Sequence, residues 1–145
     1  MKLHAHGIRI ELPRRWEGKI YERDGVATLH GANFPLPHGD GDYATNALST
    51  MPAHGALLVV TEFDQRSASK GLFDHQQPRK VQGRDFSPRS MQRTVAGRTG
   101  VQRFFTTHGR ALCLYCVLST QKDSHLNLQH LNDALQTLHI EPRQR

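Results

Sequence analysis

Apolar and polar residues alternate with period two in Gly7-Ile-Arg-Ile-Glu-Leu12, which places Ile8, Ile10 and Leu12 on one face of a strand that Pro13 stops. Pro13-Arg-Arg-Trp16 then turns the chain and delivers the only tryptophan to the edge of a core. The segments 17–23 and 26–34 form a hairpin, because Asp24-Gly25 between them accepts the positive φ angles of a tight turn. From Pro35 to Pro52 the composition shifts to Pro, Gly, Asp, Asn and Ser, a loop in which Asp42 can cap a short helix over 43–48. The near-continuous apolar run 55–63 has the pattern of a central strand covered on both faces.

Residues 64–84 offer only Leu72, Phe73 and Val81 as anchors and read as a long loop, a length that marks a segment as mobile or functional. Three strands are then expected, at 91–96, 101–107 and 111–118, the last two joined by His108-Gly109-Arg110. Leu128, Leu131, Leu135 and Leu138 recur at helical spacing behind Asp123 and Ser124, so an amphipathic helix follows and covers the sheet. The segment 138–142 closes the chain as a short extended piece. The pattern predicts an α+β domain over 1–141, with one antiparallel sheet of about six strands, the C-terminal helix, a short helix and a basic tail at 142–145.

Composition narrows the function classes. With 145 residues, 37% hydrophobic and 22% charged, the chain can bury one continuous core. Its apolar runs, such as Ala56-Leu-Leu-Val-Val60, are far short of the roughly 20 residues of a membrane helix. The first residues carry a single lysine and no apolar block of signal-peptide length, so cytoplasmic residence and no membrane partner are expected.

The formal net charge of +6 is unevenly placed: residues 65–122 hold eleven Lys/Arg against two acids, and the remainder holds eight against eleven. Arg84, Arg89, Arg93, Arg98 and Arg103 are the candidate anion-binding residues, and Phe86, Phe104, Phe105 and Tyr115 beside them could stack on bases. On a strand, however, Arg103 and Phe105 share one face and Phe104 takes the other, so at most half of these groups form one surface.

The remaining chemical motifs are incomplete. Cys113-Leu-Tyr-Cys116 spells CxxC, but within a strand the two thiols face opposite sides, and no second CxxC exists to complete a zinc site. His4 and His6 could share an ion with His30 or His139, although no three-ligand spacing is present and no metal is expected. Asp40, Asp42, Glu62 and Asp64 lie near loops at strand ends, where catalytic acids are often found. Neither a GxSxG nucleophile motif nor a glycine-rich phosphate loop occurs, and neither a catalytic residue nor a cofactor is assigned.

The opening Ile8-Arg-Ile-Glu-Leu-Pro-Arg-Arg-Trp16 and the closing Leu131-Asn-Asp-Ala-Leu-Gln-Thr-Leu-His-Ile-Glu-Pro142 resemble the two ends of PsbP-like α+β domains. The resemblance implies an antiparallel sheet flanked by helices and, since such domains are mostly non-catalytic, a binding or assembly role. The expectation is therefore a non-enzymatic module that binds another protein, as yet unidentified, through the loops at 35–52 and 64–84. The alternative is a binder of nucleic acid or another polyanion through residues 79–110.

Overall fold

The computed structural model describes residues 1–143. These residues form eight strands and two α-helices: β1 (Lys2–Ala5), β2 (Ile8–Glu11), β3 (Glu17–Arg23), β4 (Val26–Ala32), α1 (Thr45–Ser49), β5 (Ala56–Glu62), β6 (Arg98–Thr107), β7 (Arg110–Ser119), α2 (Ser124–Thr137) and β8 (His139–Ile140). The α+β class and the antiparallel pairing follow the sequence expectation. The strands make two sheets, however, of order β1-β2-β8 and β3-β4-β5-β7-β6, and not one sheet of six.

Two features account for the difference. β1, joined to β2 through His6-Gly7, carries Leu3 as its one large apolar side chain and none of its residues is fully buried, so its pattern is weaker than that of β2. The Pro13–Trp16 turn then lifts β2 off the larger sheet, so that β2 pairs with β1 and β8. The small sheet packs across β3 at Gly18, where a Cβ would strike Leu12 and Leu3 and force both side chains to shift.

Three hairpins share one turn chemistry: His6-Gly7, Asp24-Gly25 and His108-Gly109 all have positive φ at both residues, as a two-residue turn matched to strand twist requires. β5 and β7 are buried along their whole length because apolar layers cover both faces of the larger sheet. On one face Leu58, Val60, Leu112, Leu114 and Cys116 meet Leu131, Ala134, Leu135 and Leu138 of α2 and its end, together with Ile8, Ile10 and Trp16. On the other, Leu57, Val59, Tyr115 and Val117 meet Phe34, Ala47, Leu48 and Met51 around α1.

Local expectations failed in two places. Residues 91–96 are not a strand; Met91 and Val95 are anchors that a loop presses onto the α1-side core. Asp42 does not cap α1. Asp40 does, accepting from the amides of Asn46 and Ala47 at 3.0 and 2.8 Å, while Asp42 receives the Tyr21 hydroxyl at 2.7 Å. On α2 it is Asn127, not an apolar residue, that is buried near the start, where its amide donates to His54 O at 2.7 Å. Of the tail, Arg143 returns to the body and donates to Glu62 Oε2 at 2.7 Å; residues 144 and 145 lie outside the described residues.

The connection between β5 and β6 decides where an accessible site can be. It wraps around the β6 edge with short 3-10 turns at Gln65–Ser67, Gly71–Phe73, Gly83–Asp85 and Pro88–Ser90. Its middle lies on the α2 side, where Asn132 exchanges two hydrogen bonds with the backbone of Val81. It crosses the edge at a Ser87–Gly100 bridge, and Ser90 and Gln92 then bond to Gln102 and Tyr115 on the α1 side. The segment is thus a strap tied to both faces.

Candidate functional site

The five candidate arginines do not converge. Arg84 and Arg89 sit on the 3-10 turns and Arg93 follows them, all three exposed. Arg103 pairs with Asp85 at 3.4 Å, which sets it beside the Gly83–Asp85 turn that carries Arg84. Arg89 and Arg93 lie beyond the Ser87–Gly100 crossing, where the strap has passed to the α1 side. Arg98 turns inward: its guanidinium donates to Met51 O, Ser119 Oγ and Gln121 Oε1, and so ties the loop after α1 to the start of β6.

Nor do the metal and catalytic candidates assemble. His4 bonds Glu141 at 2.6 Å, His6 approaches Glu22 at 3.4 Å, His30 is buried beneath Asp42, and His139 meets His108 edge to face. Among the described residues no three His, Cys, Asp or Glu side chains are placed to hold an ion. Cys113 and Cys116 are free, buried and on opposite faces of β7. Burial pushes the Cys113 thiol up to about 12 and raises Cys116 as well, so neither carries the thiolate that nucleophilic or redox chemistry needs. The four carboxylates near strand ends are all engaged: Asp40 and Asp42 as above, Asp64 with exposed Arg66, and Glu62 with Arg110.

Arg110 lines a polar cleft of about 410 Å3 at the seam of the two sheets, walled by His4, His6, Glu22, Glu141 and Arg143, and Glu62 lies buried behind it. The Arg110 and Glu62 side chains are 4% and 1% exposed and meet through two hydrogen bonds of 3.0 Å. Arg110 also donates to His6 O and Glu141 O, and Glu62 accepts from Ala27 N and Arg143. Burial by itself would raise the Glu62 carboxyl, but the Arg110 guanidinium and the Ala27 amide outweigh it and hold Glu62 below the usual carboxylate range. The constellation resembles an active site, yet its charges already satisfy one another. Sequence reasoning missed this pairing; the signal was a glutamate ending an otherwise apolar central strand, which must find a buried cation.

A different geometry holds at the β6 edge. Because Thr107 pairs with Arg110 across a two-residue turn, the odd-numbered residues of β6 bond to β7 and the even-numbered ones face outward. The strap satisfies the outer ones at both ends: Gly100 exchanges two bonds with Ser87, and Thr106 N donates to His75 O at 3.0 Å. Between these ties lie Gln102 and Phe104. Gln102 O accepts from Arg103 Nη1, and among the described residues the amides of Gln102 and Phe104 and the carbonyl of Phe104 have no partner.

They border a groove of about 490 Å3 whose walls include Leu72, His75, Pro78, Arg103 and Phe104. Its wall is firm. Phe63, Phe73 and Phe104 form an aromatic trio with ring centroids 5.2 to 6.1 Å apart, and Thr106 Oγ1 holds the strap by accepting from Ser69 N and donating to Phe73 O. Leu72, at the rim, is 66% exposed. The loop 35–52 builds a second apolar hollow of about 460 Å3 from Phe34, Pro35, Leu36 and Pro52, with no charged side chain in its lining.

No family model, curated protein or solved structure matches the chain. No helix among the described residues is long and apolar enough to cross a membrane.

Proposed function

We propose that the protein is a non-enzymatic module that binds another protein, and that the groove on the β6 edge is its recognition surface. The observation that carries this reading is the Leu72 rim: an aliphatic side chain left two-thirds in water on a strap that the chain otherwise fixes to both faces of the sheet. A segment anchored at Ser69, Phe73, His75, Val81 and Ser87 is ordered before any partner arrives, so binding costs little further conformational entropy. The hollow formed by loop 35–52 is a secondary contact surface, consistent with both loops acting in recognition.

The resemblance of the chain ends to PsbP-like domains agrees with a binding role. Polyanion binding through residues 79–110 is the weaker reading, because Arg98 turns inward and the other candidate arginines are divided by the strap crossing. A photo-crosslinking residue placed at Leu72 tests the reading, with the same residue at exposed Leu126 on α2 as the control. The expected result is a discrete adduct in native lysate from position 72 alone. Equal labelling at both positions, or none, contradicts it.

A further inference from the structure

We infer that the partner enters the groove as an extended peptide segment that adds a strand to β6, with an acidic residue set against Arg103 and an apolar one beside it against Phe104 and Leu72. The inference rests on the groove being the recognition surface and specifies how it is used.

The backbone supplies the first part of the argument. β6 is the last strand of its sheet, and the strap closes its outer edge at Gly100 and Thr106 but leaves the Gln102 and Phe104 amides and the Phe104 carbonyl facing the groove. Unpaired edge groups beside an apolar wall are what an incoming strand requires, since main-chain bonds hold it and alternate side chains select it. The gap spans Val101 to Phe105, roughly 13 Å at about 3.3 Å per residue, and so admits a short extended segment.

The side chains supply the second part. Register parity places Arg103 on the α2 face and Phe104 on the α1 face, where it meets Phe63 and Phe73. Successive residues of an added strand also alternate between faces, so one faces Arg103 and the next faces the aromatic trio and Leu72. Arg103, paired with Asp85 at 3.4 Å but still 45% exposed, carries the only fixed charge in the groove lining, and the strap around it bears Lys70, Arg79, Lys80 and Arg84 against Asp74 and Asp85. The field selects an acidic segment. A second copy of β6 is disfavoured, because antiparallel pairing across this short gap would set Arg103 against its own counterpart.

The test uses the full chain and a displayed library of random heptapeptides. Selected peptides should place Asp or Glu next to an aliphatic or aromatic residue. Each should slow exchange of the Gln102 and Phe104 amides at least tenfold, and N-methylation of alternate peptide residues on the edge-facing side should abolish binding. Arg103→Glu should weaken the same peptides about tenfold or more. Peptides that bind without protecting those two amides, or that tolerate N-methylation at every position, overturn strand addition; so does a library that yields no binder. Protection of both amides that rises with protein concentration in the absence of peptide would assign the edge to a second copy and also overturn it. Adduct formation at Leu72 without amide protection leaves the groove as the recognition surface and removes only the strand-addition mode.

Discussion

The cleft at the seam between the sheets and the groove on the β6 edge are similar in size, about 410 and 490 Å3, but they dispose of their polar groups in opposite ways. In the cleft, Arg110 and Glu62 are almost fully desolvated, and between them they engage Ala27 N, His6 O, Glu141 O and Arg143. Little of the bonding capacity of this pair remains to be offered to a ligand. The groove contains few charges, yet it keeps backbone donors unpaired and an aliphatic side chain in water. A cluster of titratable residues is therefore not by itself a site; what matters is how much bonding capacity the fold has left over.

The contrast can be broken most forcefully at Arg110. Arg110→Ala strands the Glu62 carboxylate in the interior, and unfolding in urea should show a loss of about 3–5 kcal/mol. A loss under 1 kcal/mol would mean the cleft is open enough to hydrate Glu62, and the comparison would fail.

A smaller effect concerns pH. The Glu62 carboxyl is held below its unfolded value, so its contribution is present above about pH 4.3 and is lost as pH falls through the lower folded value. Glu62→Gln should therefore lose less stability than the parent between pH 5 and pH 3, as read from urea midpoints. Identical slopes in the two proteins would deny Glu62 this role.

The smallest effect belongs to the groove. Leu72→Asp should change stability by no more than about 0.5 kcal/mol while eliminating peptide binding, because an exposed rim residue contributes to recognition and not to the core. A large destabilisation would make Leu72 a structural residue.

Much of this fold is visible in the residues themselves. Asp24-Gly25 and His108-Gly109 announce their turns, the run 55–63 announces a doubly covered strand, and the leucines of α2 announce its buried side. The errors have a common cause in anchors that serve loops. Met91 and Val95 alternate like strand residues but pin the strap, and Asp40 reaches the α1 amides over a distance that helix-start spacing does not encode.

The groove was legible only in part. Arg103 and Phe104 were placed on opposite faces correctly, but whether β6 is an edge depends on the strand order β3-β4-β5-β7-β6, which is set by long-range pairing that no local pattern records. For the same reason Arg98 and Arg103 could be read as one basic patch, although one guanidinium turns inward to Met51 and the other outward to Asp85.

Amide hydrogen exchange along β6 in the free protein tests the central claim most directly. Val101, Arg103 and Phe105 bond to β7 and Gly100 and Thr106 to the strap, so these five should be protected, while Gln102 and Phe104 should exchange at rates near those of an open chain. Protection of Gln102 and Phe104 equal to that of Arg103 would mean that the edge is already closed, and the groove would lose its role.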